Sequence, residues 1–203
     1  MNQALFEQYE VAKEQGNKRL AASLLARFIE TFATDEEREE WTRCYFSNRP
    51  VVHAIRHELF EQVIFPVLLA GYQRPDPWCI EMLERCVQNL YGAEHLWAQI
   101  GRQTGMQLAE RLLALKPDDR QTQARVLAHL IEWFRYSEHE WPAGILYGND
   151  GATALQCDEV LFEVRRARTL DEACVHSAFL NQFEEKVQQY IQRLGAANRS
   201  PDH

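Results

Sequence analysis

The chain has 203 residues, of which 46% are hydrophobic and 26% are charged, and its formal net charge is −8. These values are typical of a globular protein with one sizeable core, and they predict a single domain over residues 1–194 with a polar, disordered tail at 195–203. No apolar run approaches twenty residues, which excludes a membrane-spanning helix, and the negative charge argues against a general nucleic-acid binder.

The cysteines and the N-terminal sequence favour a reduced, cytoplasmic protein. Residues 1–15 show no basic start, apolar core or cleavage site of a secretory signal. The five cysteines are odd in number and contain no Cys-x-x-Cys pair. They are Cys44, Cys79, Cys86, Cys157 and Cys174. Reduced thiols therefore fit better than a disulfide framework, and we expect a cytoplasmic location.

Three short helices are predicted in the N-terminal part of the chain. The first covers about 2–15, and Asn17 can cap the second. Thr34 and Glu37 have the spacing of a capping box, in which Thr34 bonds forward and Glu37 reaches back. This capping box predicts a third helix that ends near Ser47.

Proline and glycine mark the next elements. Pro50 suits the first turn of a fourth, strongly apolar helix that continues to about residue 72. Pro66 lies inside this helix and predicts a kink or a break near Phe65. Residues 71–77, which are rich in glycine and proline, then predict a hinge.

Residues 106–136 are predicted to form two amphipathic helices joined by a tight turn. Apolar residues recur every three or four positions in both halves, with charged residues opposite them. Pro117 stops the first helix, and Asp118 or Asp119 can cap the second and favour its positive dipole end. We predict that the two helices pack against each other as an antiparallel hairpin.

The longest connection is predicted at residues 137–151, where three glycines and a proline exclude a regular helix. A helix over about 153–168 follows, and the last helix is predicted over 171–194. Apolar positions in this last helix alternate three and four residues apart, as in three heptads of a coiled-coil seam. The seam positions are Ala173, His176, Leu180, Phe183, Val187, Tyr190 and Leu194.

Helical periodicity covers the chain without competing strand-like alternation, so we predict an all-α fold of about eight to ten helices arranged in antiparallel hairpins. The apolar run that closes on proline at residues 112–117 resembles the end of a unit in the tetratricopeptide-like helical repeat proteins, over about one unit. The resemblance implies a helical-repeat-like scaffold with a concave protein-binding surface. An irregular helical bundle is the alternative architecture.

His53 and His57 lie four residues apart, a spacing that places two imidazoles on one face of a helix, as two metal ligands require. A third ligand would come from another helix, either His95, the pair His129 and Glu132, or His176. The competing interpretation is a chance pair on a partly buried helix flank. The metal interpretation gives a second functional hypothesis, a helical-bundle metal-dependent enzyme.

Two further polar residues fall within apolar patterns. Arg56 is expected between Phe60 and Val63 in the apolar sector of the fourth helix. It would pair there with a buried carboxylate, extend its head to solvent, or line a ligand pocket. His176 lies on the predicted seam, where a histidine usually sets the helix register through a hydrogen bond.

The 137–151 segment is the candidate for partner binding. Trp141 and Tyr147 are residues that dominate interface energies, Ile145 adds apolar surface, and Glu138 and Glu140 would steer a basic partner. The alternative is a loop that packs on its own side chains.

The sequence shows no Gly-x-Ser-x-Gly, P-loop, GxGxxG or HExxH motif, and this absence argues against an enzyme. No cofactor is expected. We therefore predict a protein–protein interaction protein: a helical scaffold, an adaptor, or an acidic inhibitor of a basic partner.

Overall fold

The computed structural model describes residues 1–48, 55–139, 144–148 and 150–197. Helices account for most of these residues, so the all-α prediction is confirmed. Within the described part of the chain, no helix is both long and apolar enough to cross a membrane.

The chain forms two compact units, Met1–Leu115 and Lys116–His203, whereas the sequence predicted one domain over 1–194. The first unit contains α1 (Gln3–Glu14), α2 (Lys18–Ile29), α3 (Asp35–Ser47), α4 (His57–Leu59), a π-helical turn (Phe60–Ile64), α5 (Phe65–Gln73), α6 (Pro77–Arg85), α7 (Val87–Tyr91), α8 (Glu94–Trp97), a 3-10 turn (Ala98–Ile100) and α9 (Gly105–Leu115). The second unit contains α10 (Arg120–His139), β1 (Leu146–Tyr147), β2 (Asp150–Gly151), α11 (Ala154–Leu170) and α12 (Ser177–Ala197).

The first helices begin at the predicted capping residues. The side chain of Asn17 accepts a hydrogen bond from the Leu20 N–H at 3.2 Å, at the start of α2. The Thr34 hydroxyl accepts one from the Glu37 N–H at 3.2 Å, at the start of α3. In a capping box the Glu37 carboxylate would accept from the Thr34 N–H. It accepts instead from the N–H of the preceding residue, Ala33, at 2.9 Å. Local sequence therefore fixes where these helices start.

The predicted fourth helix differs from the structure at its start and in its middle. Ile55 and Arg56 are not helical, and α4 begins at His57. The predicted helix start at Pro50 lies outside the described residues. The expected disturbance before Pro66 takes the form of the π-helical turn at Phe60–Ile64. A π-helical turn inserts an extra residue into the helical repeat. Residues before and after it therefore do not share the helix face that a 3.6-residue period predicts.

The core of the first unit is rich in aromatic side chains from three helices. Phe6 of α1 lies with its ring centroid 5.0 Å from Phe28 of α2 and 5.1 Å from Trp41 of α3. Phe28 and Trp41 are 5.3 Å apart, and all three side chains are buried. The apolar faces predicted for the N-terminal helices thus meet in one cluster.

The predicted hairpin at 106–136 divides between the two units. Asp119 does cap α10, since its carboxylate accepts bonds from the Thr122 N–H at 2.8 Å and the Thr122 hydroxyl at 2.7 Å. However, α9 belongs to the first unit and packs on α6. The predicted cap at Asp119 is thus confirmed, and α9 packs on another helix of its own unit.

The last helix begins at Ser177, six residues later than predicted. Leu180, Phe183 and Val187 of the predicted seam are fully buried, but Ala173 and His176 lie in the turn before α12. Asp171 holds this turn by accepting hydrogen bonds from the N–H groups of Val175 at 2.9 Å and His176 at 2.7 Å. The helix continues to Ala197, into the stretch predicted to be a disordered tail.

The five cysteines are all free, and their burial predicts two classes of thiol. Cys44 and Cys174 are exposed, while the other three are buried. Burial, together with the charge of Asp76 for Cys79, raises the pKa values of the Cys79 and Cys86 thiols to about 12, and burial also raises the pKa of Cys157. Since the thiolate is the reactive form, these three thiols should react slowly.

We expect two fast-reacting thiols when native protein is titrated with a chromogenic disulfide reagent, and five once the unreduced protein is denatured. Replacing Cys44 and Cys174 with Ser should remove the fast phase and leave the slow one. Three or more fast thiols in the native wild type would contradict the burial of Cys79, Cys86 and Cys157.

Candidate interaction surface

The end of α10 uses one predicted partner-binding residue for internal packing. α10 continues to His139, so the predicted loop begins later than residue 137. Glu138 forms an ion pair with Lys186 of α12 and is half-buried. Glu140 and Trp141, the next two predicted residues, lie outside the described part of the chain. Glu138 is therefore explained by the contact between α10 and α12.

The following segment packs on its own unit. β1 and β2 pair antiparallel, with Leu146 opposite Gly151 and Tyr147 opposite Asp150. Ile145 was predicted to lie on a partner-binding surface, but its side chain is only 2% exposed and belongs to the core. For Ile145 the self-packing alternative is the correct one, because an apolar side chain in a hydrogen-bonded loop gains most by burial within its own unit.

A close approach between this segment and α12 depends on a glycine. The Tyr190 hydroxyl of α12 donates to the Ala152 carbonyl at 2.9 Å. A Cβ atom at Gly151 would lie 2.8 Å from the same hydroxyl oxygen, which is closer than real Cβ atoms come. The segment is thus held against α12 by a contact that a larger residue would disturb.

Tyr147 joins this segment to α11. Its side chain is half-buried, and its hydroxyl donates to the Glu159 carboxylate at 2.9 Å. This hydrogen bond, helped by the negative charge of Glu159, raises the pKa of the Tyr147 hydroxyl. Of the predicted partner-binding residues that the structure describes, Tyr147 is the one at the border of an exposed apolar surface.

That surface is the outward side of α11. Leu155 is 70% exposed and Phe162 is 58% exposed. They are seven residues apart, which is two turns and therefore the same side of the helix. The opposite side of α11 packs on α10 and α12. Two large apolar side chains exposed on one side of a helix mark a candidate contact surface.

Charged residues surround Phe162 in an ordered way. We define the α11 face as the exposed residues Leu155, Asp158, Glu159, Phe162, Arg165 and Thr169. Its acidic residues come one turn before Phe162, and Arg165 follows about one turn after it, with its guanidinium carbon 6.0 Å from the Phe162 ring centroid. Phe162 therefore has two acidic residues on its N-terminal side and a basic residue on its C-terminal side, and Leu155 lies one turn before the acidic residues.

Sequence reasoning missed Leu155 and Phe162, although a signal was present. Both residues lie out of phase with the inward positions Cys157, Val160 and Val164, which are buried. Two large apolar residues on the polar side of an amphipathic helix indicate a second contact surface.

Arg56 does not line an apolar pocket. Its side chain is 47% exposed and pairs with Glu58, with the guanidinium nitrogen 2.9 Å from the carboxylate oxygen. Only the predicted position in the apolar sector is contradicted, because it assumed a continuous helix through Arg56 with ideal spacing to Phe60 and Val63. The helix instead starts after Arg56 and contains a π-helical turn.

His57 lies beside His95, one of the predicted third ligands, and Glu61 lies between them. The Nε2 atom of His57 is 3.0 Å from one Glu61 oxygen, and that of His95 is 2.6 Å from the other. The Glu61 carboxylate thus lies within hydrogen-bond distance of both imidazole rings. Among the described residues, no group of three or more His, Cys, Asp or Glu side chains is placed to hold a metal ion. His53 lies outside the described residues.

A groove of about 330 Å³ lies beside α3 in the first unit. Its acidic lining residues include Asp35, Glu36 and Glu39, but Arg38 and Arg74 also line it. Arg38 pairs with Asp35 at 2.7 Å. The charges of this groove are therefore partly compensated from within, which makes it a weaker candidate for a basic partner than the acidic residues alone indicate.

Comparisons of the chain with family models, with curated proteins and with solved structures found no match.

Proposed function

We propose that this chain is a protein–protein interaction protein and that the α11 face, bordered by Tyr147, is its contact surface. The observation that carries the proposal is the exposure of Leu155 and Phe162 on one side of a helix whose other side is buried. Covering these two side chains would remove apolar area from water. Each Å² of apolar surface buried contributes about 25 cal/mol of favourable free energy. Aromatic residues in such positions commonly supply most of an interface's energy.

The overall charge adds to this proposal without identifying a partner. A net charge of −8 favours the approach of basic proteins over a distance of about 10 Å at 0.1 M salt. The α11 face itself carries both signs, so close contact selects a partner whose charges are arranged to match. A helical scaffold or adaptor fits this pattern better than a surface that only attracts positive charge.

Capture from a lysate of the producing cells tests the proposal with three tagged forms of the chain. These are the wild type, the double variant Leu155→Ala/Phe162→Ala, and the control Val11→Ala/Leu20→Ala. The control removes exposed apolar side chains, 52% and 46% exposed, from the first unit. We expect a protein, which can be the cell's own untagged copy of this chain, to be retained by the wild type and the control.

The same protein should be reduced at least about tenfold on the double variant, because two interface anchors are lost. All three forms should melt at the same temperature, since exposed substitutions change stability by about 0.5 kcal/mol or less. Equal capture by all three forms would contradict a role for the α11 face.

A further inference from the structure

We propose that the occupant of the α11 face is a second copy of the chain, paired antiparallel about Phe162. This inference rests on the proposed function, because it names the partner of the same surface. Its basis is the order of side chains along the face, which is acidic, apolar and basic in turn.

The spacing of the charges makes the face complementary to itself. In an antiparallel pair with a two-fold axis at Phe162, the half of each helix before position 162 lies opposite the half after position 162 in the other copy. Asp158 and Glu159 are four and three residues before Phe162, and Arg165 is three residues after it. The half-buried Arg166, beside the α11 face, is four residues after Phe162. The acidic half of each copy therefore meets the basic half of the other.

The positions around the helix agree with this pairing. At about 100° per residue, Asp158 and Arg165 lie on one flank of Phe162, while Glu159 and Arg166 lie on the other. A two-fold axis perpendicular to the helices keeps each flank on its own side. Asp158 thus faces Arg165 of the second copy, and Glu159 faces Arg166 of the second copy.

The existing contacts on the face are compatible with this arrangement. Arg165 leans over the Phe162 ring, which keeps its guanidinium at the centre of the proposed contact. Arg166 contacts Glu163 at 3.4 Å, and Glu159 accepts the Tyr147 hydroxyl at 2.9 Å. A carboxylate has room for several donors, so Glu159 can keep Tyr147 while it accepts from an arginine. Asp158 and Arg165 form the pair to test, because substituting them disturbs the fewest contacts.

Area and charge set the expected strength. A contact centred on one helix is smaller than the roughly 800 Å² per partner of a stable complex, and two copies with a net charge of −8 repel each other at long range. At about 0.15 M salt the repulsion is screened beyond about 8 Å, whereas the facing pairs act at short range. We therefore expect a dimer that dissociates on dilution.

Sedimentation of the purified full chain over a wide concentration range provides the test. The wild type should pass from monomer to dimer, and Phe162→Ala should raise the dissociation constant at least about tenfold. Val11→Ala is the matched control and should sediment as the wild type does. A wild type that stays monomeric at every concentration, or a dimer that Phe162→Ala leaves unchanged, would overturn the inference.

Charge exchange tests the antiparallel alignment. Asp158→Arg should weaken self-association because the new arginine faces Arg165 of its copy, and Arg165→Glu should weaken it because two carboxylates then face each other. An equimolar mixture of the two variants should associate about as well as the wild type, since both facing pairs are again of opposite sign. A mixture no better than either variant alone would overturn the pairing.

The two proposals fail in different ways. In one outcome the purified chain stays monomeric, but the wild type captures a different protein from the lysate that Leu155→Ala/Phe162→Ala does not retain. The second-copy inference is then wrong and the proposed function stands. If Phe162→Ala changes neither self-association nor any capture, both are wrong.

Discussion

Replacing Phe183 with Ala is expected to destabilise the second unit by about 3–5 kcal/mol. Phe183 of α12 is fully buried, and its ring stacks on Phe134 of α10 with centroids 4.9 Å apart and an angle of 26° between the planes. The ring centroid of Phe179, on the same helix, is 6.0 Å from that of Phe183. Truncation removes this apolar contact from the place where α10 and α12 meet and leaves a cavity that rigid helices fill only in part.

Urea unfolding followed by far-ultraviolet circular dichroism measures the loss. We expect the two compact units to give separate transitions, of which that of the second unit should move to lower urea while that of the first stays in place. Tyr136→Ala is the control, because it removes an aromatic ring from a position of the same unit that is 55% exposed, and it should cost about 0.5 kcal/mol or less. A loss below about 1 kcal/mol for Phe183→Ala would show that the seam does not contribute as the burial indicates.

Short-range features of the fold were predictable from the sequence. Asn17, Thr34 and Asp119 each cap the helix that follows them, and the seam residues Phe183 and Val187 are buried. Capping depends on atoms within four residues, and the burial of a seam follows from a regular period. Both signals are therefore contained in a short stretch of chain.

The errors arose where more distant contacts decide the outcome. α12 starts at Ser177 because Asp171 binds the backbone of the preceding turn. Arg56 was misplaced because a π-helical turn breaks the ideal spacing. The apolar side of α9 packs on α6, which ends twenty residues before α9 begins in the sequence. An amphipathic pattern shows that a helix face will be buried but not which element buries it.

The candidate surface was predictable in part. Tyr147 lies at its border, but Ile145 and Glu138 are used inside the second unit. The exposed pair Leu155 and Phe162 stands in the sequence at a plain seven-residue spacing. Its meaning emerges only once the opposite side of α11 is seen to be covered, because an apolar residue indicates a partner only when its own chain leaves it exposed.

Replacing Gly71 with Ala is expected to destabilise the first unit by about 1–3 kcal/mol, although Ala favours a helix over Gly by about 1 kcal/mol. Gly71 lies in α5, where α6 comes close. A Cβ atom at this position would be 2.1 Å from the Cys79 sulfur and 2.5 Å from the Cys79 Cβ, both buried. The overlap with the Cys79 Cβ cannot be relieved by a side-chain rotation, so the two helices must move apart. We therefore expect overpacking to outweigh helix propensity.

A second substitution separates this clash from any other effect of Gly71→Ala. Cys79→Gly removes both atoms that the new methyl group would meet, so in the double variant the two helices can keep their spacing. In urea unfolding, the loss in Gly71→Ala/Cys79→Gly should be smaller than the sum of the two single losses by about 1 kcal/mol or more. Gly92→Ala is the control, because its nearest contacts would be 3.6 Å or longer and its expected cost is correspondingly small. If the double variant loses as much stability as the two single variants together, positions 71 and 79 act independently. That result would contradict a close contact between α5 and α6 at Gly71.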